Sequence, residues 1–180
     1  MSLRTLLISC AVLLCLGAST AFAGDPNVVF KGKIMTSAKR YPLSAKSKDA
    51  YISAIRKQSA TSFNEDKEKQ QWKIYFAAFL SKPLNDVEYI IKFYDITGGS
   101  QQLLGASENF NDERGQKTIV SNIVLEKKSF GVNKQLLMTI ENKGAVLASA
   151  RFKILGEGER FSGKVNFSED EANGKSNGDE

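Results

Sequence analysis

QWKIYFAAFLSKPLNDVEYIIKFYDI, residues 71–96, is the stretch that decides the fold of this chain. Two runs of strand length, rich in isoleucine, phenylalanine and tyrosine, flank the sequence KPLND at residues 82–86. Proline and the Asn-Asp pair are common turn residues, so the pattern predicts a β-hairpin. With the turn centred on residues 84–85, Phe76 should lie opposite Phe93.

Successive side chains of a strand alternate between the two faces of a sheet, so this stretch has one apolar and one mixed face. The apolar face should be buried in a core, and it carries Trp72, Ile74, Phe76, Ala78, Leu80, Val87, Tyr89, Ile91 and Phe93. The mixed face combines rings with long lysine stems and should be partly covered. It carries Lys73, Tyr75, Ala77, Phe79, Ile90, Lys92, Tyr94 and Ile96.

Working outward, further short apolar segments follow at a spacing of about ten residues and are separated by turn sequences. They predict strands at residues 27–36, 101–110, 118–126, 135–141, 145–155 and 161–167. Residues 49–58 fit either a short helix or a strand. Seven or eight short strands with at most one helix predict a mainly β domain over residues 24–168, arranged as an antiparallel, immunoglobulin-like β-sandwich. A β-barrel is the alternative, because the sequence does not fix the order of the strands.

The first 23 residues have the pattern of a cleavable signal peptide. Arg4 precedes an apolar run at residues 6–16, and small residues follow up to Ala23. The run of eleven residues is shorter than the roughly 20 that a membrane-spanning helix needs. The sequence therefore predicts cleavage near Ala23 and Gly24, no membrane span, and a periplasmic or secreted mature protein.

Both cysteines, Cys10 and Cys15, lie in the segment that would be removed, so the mature chain has neither a thiol nor a disulfide. Such a domain is more typical of a bacterial envelope than of a eukaryotic secretory route. Lipidation at Cys10 is the alternative, but it would leave a long apolar segment after the cut. The C-terminal residues 169–180 are acidic and poor in apolar side chains, and they predict a disordered tail.

The net charge of +5 is unevenly distributed along the chain. Residues 31–73 contain eleven lysines and arginines against four acidic residues. A basic surface favours anionic partners such as polysaccharides, although a merely solvated surface would show the same pattern. Two groups of candidate binding residues follow: a basic patch of Lys39, Arg40, Arg56 and Lys57, and an aromatic face with Tyr75 and Tyr94, to which Tyr41 would add a third exposed ring.

The chain contains no histidine, and this absence, together with that of mature cysteine, removes most enzyme mechanisms. Histidine-based triads, cysteine nucleophiles, and zinc or haem sites each need one of these side chains. No serine-hydrolase signature, dinucleotide-binding loop or specific nucleic-acid motif occurs, so we expect neither a cofactor nor a metal. Paired carboxylates could still act in a hydrolase. The densest sets lie in polar, partly basic linkers: Glu65, Asp66 and Glu68, and Asp112 with Glu113.

WKIYF at residues 72–76 and VLASARFKILGE at residues 146–157 resemble strands of uncharacterised exported proteins of myxobacteria and their relatives. In that group a signal peptide precedes a single all-β domain. The resemblance covers most of residues 31–170 and includes no functional motif, so it implies only a fold and a location in the cell envelope.

These observations favour an exported, non-enzymatic β-sandwich that serves as a binding or structural component of the bacterial cell envelope. Its partner would be an envelope protein or an anionic polysaccharide. The alternatives are a dedicated carbohydrate- or anionic-polymer-binding module and, third, a carboxylate-based hydrolase.

Overall fold

The computed structural model describes residues 24–157, and in this range the prediction of a mainly β fold is confirmed. In chain order the elements are α1 (Pro26–Val29), β1 (Lys33–Ser37), α2 (Lys48–Gln58), β2 (Ser62–Asn64), β3 (Gln71–Leu84), β4 (Glu88–Asp95), β5 (Gln102–Phe110), β6 (Gln116–Glu126), α3 (Lys127–Phe130), β7 (Lys134–Asn142) and β8 (Ala145–Leu155). The signal peptide with both cysteines, the strand at residues 161–167 and the tail at residues 169–180 were predicted outside the described residues.

All eight strands belong to one mixed sheet that is curled into a half-barrel. The order across the sheet is β5-β4-β7-β8-β1-β3-β6, and the short β2 pairs with β8. The barrel alternative therefore describes the arrangement better than the immunoglobulin-like sandwich. The reason is that β1 pairs with β8 in parallel. This pairing joins the group β5-β4-β7-β8 to the group β1-β3-β6, which would otherwise be two separate sheets. There are three short helices where at most one was expected.

The hairpin predicted within residues 71–96 is wrong. β3 pairs with β1 and β6, whereas β4 pairs with β5 and β7. Phe76 consequently lies opposite Thr36 and Ser121, not opposite Phe93. Instead, β3 and β4 form one arm of a single long ribbon, and β5 and β6 form the other arm.

This ribbon reverses at residues 96–101, where the sequence contains TGGS. Gly99 adopts a φ of 85°, a conformation that glycine reaches without a steric penalty. Its N–H donates to the carbonyl of Ile96 at 3.2 Å, which closes the turn. The reversal thus lies one strand further along the chain than the sequence predicted.

The KPLND sequence bends the ribbon instead of reversing it. The carbonyl of Leu84 accepts a hydrogen bond from the N–H of Gly115 at 2.6 Å. The carbonyl of Val87 accepts one from the N–H of Asn111 at 2.7 Å. Backbone groups at this bend therefore pair with the connection between β5 and β6, which bends alongside it, and not with each other.

The predicted alternation of side chains is confirmed although the pairing is not. The apolar set of β3 and β4, apart from Val87, belongs to the buried core on the inner face of the half-barrel. Phe76 is fully buried there, and the indole N–H of Trp72 donates to the carbonyl of Leu155 at 3.0 Å. Alternation depends only on the backbone of each strand, so it survives a change of partner strand.

A second, smaller core lies on the outer face of β1 and β3. Residues 49–58 are helical, which decides between the two alternatives left open by the sequence. The hydroxyl of Ser47 caps α2 by accepting a hydrogen bond from the N–H of Ala50 at 3.1 Å. The buried side chains of this cluster are Phe30, Tyr41, Ile52, Ile55, Ala77 and Phe79. The mixed face of β3 is therefore partly covered, as predicted.

The carboxylate of Asp95 stabilises the reversal of the ribbon. It accepts a hydrogen bond from the N–H of Thr97 at 2.9 Å and lies 2.8 Å from the amine of Lys134. The contact with Lys134, followed by those with Thr97, lowers the pKa of Asp95 from 3.8 to about 2. Because the folded-state pKa is below the unfolded one, this carboxylate stabilises the fold above about pH 4, and its contribution is lost as the pH falls towards 2.

We expect Asp95→Asn to lower the free energy of unfolding by about 1 kcal/mol at pH 7, because the lost contacts are partly solvent-screened. The difference from the unmodified protein should shrink as the pH falls towards 2. Urea denaturation of both proteins at pH 7 and at acid pH measures this difference. An equal loss at both pH values would contradict the assignment to the charged carboxylate.

Candidate functional site

The loop that joins β1 to α2 is anchored by a buried tyrosine. The side chain of Tyr41 is 1% exposed, and its hydroxyl donates to the carbonyl of Thr36 at 2.9 Å. The same hydroxyl lies 2.9 Å from the hydroxyl of Ser59. Burial raises the pKa of Tyr41, which keeps the hydroxyl protonated. The expectation that Tyr41 is an exposed binding residue is therefore wrong, because its ring fills the core under α2.

A second contact holds the loop backbone against the end of α2. The side-chain amide of Gln58 donates to the carbonyls of Lys39 and Arg40, both at 2.7 Å. The side chains of Lys39 and Arg40 are exposed. The loop thus presents two cations from a backbone that is fixed on both sides.

The four residues of the predicted basic patch do not form one site. Lys39 and Lys57 line a common groove of about 480 Å³, whose remaining walls include several alanines. Arg40 lines a different pocket. The guanidinium of Arg56 lies 5.7 Å above the ring of Phe30, where it contributes to packing.

The pocket that contains Arg40 also contains Tyr75, so it combines one residue from each predicted group. Its volume is about 330 Å³, and we call it the Arg40–Tyr75 pocket. It is lined by Arg40, Tyr41, Leu43, Tyr75, Val120, Ser121 and Asn122. Tyr75 projects from the outer face of β3, and Asn122 is its partner on β6. None of the lining residues carries a carboxylate.

Lys73 adds a second cation beside this pocket. It lies two residues before Tyr75 on the same face of β3, and its amine is 5.4 Å from the centre of the tyrosine ring. Within residues 24–157, neither Lys73 nor Arg40 forms an ion pair with an acidic side chain. The positive charges around the ring are therefore not neutralised by this part of the protein.

This arrangement can bind an anionic group beside an aromatic ring. The amine of Lys73 lies over the ring of Tyr75, and Lys73 and Arg40 can each meet a carboxylate or sulfate group. The guanidinium of Arg40 can bind such a group through two parallel hydrogen bonds. The amide of Asn122, which lies opposite Tyr75 on the same face, supplies a donor and an acceptor for sugar hydroxyls.

Tyr94 does not share a site with Tyr75. It projects from the outer face of β4, which is separated from β3 in the sheet by β7, β8 and β1. It borders a separate groove of about 620 Å³, together with Gln101, Leu137, Thr139, Glu141, Val146, Ser149, Ala150 and Arg151. The predicted aromatic face therefore consists of two rings on different sides of the half-barrel.

The Tyr94 groove differs from the Arg40–Tyr75 pocket in containing a carboxylate, that of Glu141. Glu141 is 6% exposed, and its carboxylate lies 2.6 Å from the amine of Lys92. The hydroxyl of Thr139 donates to the other carboxylate oxygen at 2.9 Å. The hydrogen bond to Glu141 raises the pKa of Lys92, so the lysine amine stays protonated. The carboxylate makes this groove less favourable for an anionic partner than the Arg40–Tyr75 pocket.

Glu65 and Asp66, two of the acidic residues noted in the sequence, each pair with a different lysine and do not form one acidic site. The side chain of Glu65 is buried against the amine of Lys127 at 3.1 Å, and Asp66 lies 4.0 Å from Lys69. Among residues 24–157, no three acidic, histidine or cysteine side chains stand close enough to hold a metal ion. In the same range, no helix combines the length and the apolar character needed to cross a membrane.

Lys73 and Asn122 are the site residues that the sequence did not indicate as binding residues. The alternation within β3 places Lys73 beside Tyr75, so its position was predictable in principle. Asn122 reaches the pocket only because β6 pairs with β3. No local sequence pattern predicts that pairing.

Comparison with known proteins assigns no family to this chain. No protein-family model matches it, and no curated protein matches it significantly. The resemblance to exported proteins of myxobacteria therefore stays a prediction, and the geometry of the site carries the functional conclusion.

Proposed function

We propose that this protein is an exported, non-enzymatic binding protein of the cell envelope that recognises an acidic polysaccharide through the Arg40–Tyr75 pocket. The observation that carries the proposal is a half-buried tyrosine that has the amine of Lys73 over its ring and shares with Arg40 a pocket lined by no carboxylate. Export rests on the signal-peptide pattern of residues 1–23.

The charge of the body supports an anionic ligand. Residues 24–157 contain 21 lysines and arginines against 14 aspartates and glutamates, a net charge of +7. The electrostatic field of a net positive charge raises the rate at which a polyanion associates with the protein, independently of the individual contacts. Lys39 in the groove and Arg40 in the pocket are consecutive residues of the anchored loop, so one polymer chain could contact both cavities.

The fixed loop favours selective binding over nonspecific electrostatic attraction. Tyr41 and Gln58 hold the backbone that carries Lys39 and Arg40. A ligand that binds such a preformed site does not have to order the loop, so less of the interaction energy is lost on binding.

Calorimetric titration of the mature protein with an oligogalacturonate, a polymer of acidic sugars, tests this proposal. We expect Arg40→Glu with Lys73→Glu to weaken binding about a hundredfold, because two charge-assisted contacts become repulsive. We expect Tyr75→Ala to weaken it about tenfold through the loss of ring contact. Binding should also weaken steeply with added salt.

The matched control reverses Lys82 and Arg114, which are exposed and lie near the bend of the ribbon. It changes the net charge equally, and its affinity should stay within about threefold of the unmodified protein. A neutral dextran should not bind. An equal loss of affinity in both double variants would show that binding depends only on the net charge of the protein, and the proposal would then be wrong.

A further inference from the structure

The groove next to the anchored loop also carries two cations. Its volume is about 480 Å³, and it contains Lys39 from the loop and Lys57 from the last turn of α2. In the part of the chain that the structure describes, neither lysine forms an ion pair with an acidic side chain. The other lining residues in this part of the chain carry no carboxylate; they are Ser37, Ala38, Ala54, Gln58 and Ala60. Like the Arg40–Tyr75 pocket, the groove is therefore suited to an anionic ligand.

The walls of the groove consist largely of small side chains. Three of them are alanines, which come from the loop, from α2 and from the segment before β2. Methyl groups leave space above the backbone and offer apolar contacts, such as those that the C–H groups of a sugar ring can make. A volume of about 480 Å³ lies in the range of cavities that hold small ligands. The groove can therefore hold part of a sugar chain beside its two amines.

Hydrogen bonds fix the floor of the groove. The N–H of Ala60 donates to the carbonyl of Thr36 at 2.7 Å, and the hydroxyl of Thr36 donates to the carbonyl of Ala60 at 2.7 Å. The hydroxyl of Ser37 accepts a hydrogen bond from the N–H of Lys39 at 3.0 Å. The same carbonyl of Thr36 accepts the hydrogen bond from Tyr41, which lines the Arg40–Tyr75 pocket. One hydrogen-bonded unit thus supports both cavities.

The two cavities are held at a constant separation. Lys39 and Arg40 are consecutive, so their Cα atoms are about 3.8 Å apart. The side-chain amide of Gln58, which lines the groove, donates to the backbone carbonyls of both residues. A ligand in one cavity therefore does not have to reorganise the loop before it reaches the other. When one molecule contacts two sites at a fixed separation, the second contact forms at a high effective concentration.

We propose that the groove and the pocket form one extended site, in which an acidic polysaccharide lies across the anchored loop. In the groove its negative groups contact Lys39 and Lys57, and at the pocket they contact Arg40 and Lys73. This inference rests on the proposed function and adds the class of ligand: a chain of many acidic sugars, not a short acidic oligosaccharide. A short oligosaccharide occupies one cavity at a time, whereas a long chain occupies both and gains affinity from the second contact.

Calorimetric titration of the mature protein with digalacturonate and with dodecagalacturonate tests this inference. The longer ligand should bind at least about a hundredfold more tightly to the unmodified protein, a gain typical of two linked contacts. Lys39→Glu with Lys57→Glu should lower the affinity for dodecagalacturonate about thirtyfold, because the groove then repels the chain. The affinity of this variant for digalacturonate should stay within about threefold of that of the charge-matched control, because the short ligand still binds at the pocket.

That control is Lys46→Glu with Lys48→Glu, which changes the net charge by the same amount. Both lysines are exposed, belong to the same basic segment and line neither cavity. The affinities of the control for both ligands should stay within about threefold of those of the unmodified protein. A second variant, Ala54→Leu, narrows the groove without a change of charge and should weaken binding of the longer ligand alone, by about tenfold. Circular dichroism checks that each variant is folded.

The inference and the proposed function fail in different ways. If Lys39→Glu with Lys57→Glu binds dodecagalacturonate as tightly as the control does, the chain does not occupy the groove. The inference is then wrong, while the pocket remains the binding site. Equal affinities of the unmodified protein for the two ligands would also overturn the inference. If Arg40→Glu with Lys73→Glu binds digalacturonate as tightly as the unmodified protein does, the proposed function is wrong, and this inference with it.

Discussion

Replacing Phe76 with alanine should lower the free energy of unfolding by about 3 to 5 kcal/mol, the range typical of large-to-small changes in a core. Phe76 is fully buried at the middle of β3, where it packs in the inner core of the half-barrel. β1 and β6 flank it on both sides, so the surrounding backbone has little freedom to close the cavity. Urea denaturation followed by circular dichroism measures the change.

Phe110→Ala is the matched control, because it removes the same atoms from a side chain that is 68% exposed. We expect it to change stability by no more than about 0.5 kcal/mol. A loss below about 1 kcal/mol for Phe76→Ala would show that β3 does not form the centre of the core.

Replacing Lys127 with alanine should have the second largest effect, a loss of about 2 to 3 kcal/mol. The carboxylate of Glu65 is 4% exposed and would be left buried without its cation. The change would also remove the hydrogen bond from Lys127 to the carbonyl of Glu157, which fixes the end of the described chain. Removing one partner of a buried ion pair lowers the free energy of unfolding by more than the intact pair contributes to it, because the remaining charge stays desolvated.

The neighbouring Lys128 provides the control, since it is exposed and its replacement by alanine should change stability by about 0.5 kcal/mol or less. The double variant Glu65→Gln with Lys127→Met should recover part of the loss, because no charge then remains buried. If Lys127→Ala costs no more than Lys128→Ala, the ion pair does not stabilise the fold.

The inner face of the sheet could be predicted from the sequence because it depends on a local property. Alternation within a strand requires no knowledge of its neighbours, so Trp72, Phe76 and Ile91 were placed correctly. The partner strands could not be predicted in the same way. Both KPLND and TGGS are sequences typical of turns. Which of the two reverses the ribbon depends on the pairing with strands that are distant in sequence.

The incorrect hairpin also explains the error in the candidate site. In that hairpin, Tyr75 would lie opposite Tyr94 and the two rings would form one face. In the structure, Tyr75 lies opposite Ser37 and Asn122, and Tyr94 is several strands away. Arg40, on the anchored loop, lines the same pocket as Tyr75 although the two segments are far apart in sequence. Residue type therefore indicated candidate residues, whereas topology determined which of them meet.

Backbone NMR of the mature protein during titration with an oligogalacturonate shows which residues contact an acidic sugar. We expect the largest shifts at the Arg40–Tyr75 pocket, at Arg40, Leu43, Lys73 and Asn122, and we expect them to saturate. The amides around Tyr94 and Arg151 should change little. Shifts concentrated in the Tyr94 groove, or spread evenly over all exposed lysines, would contradict the proposed function.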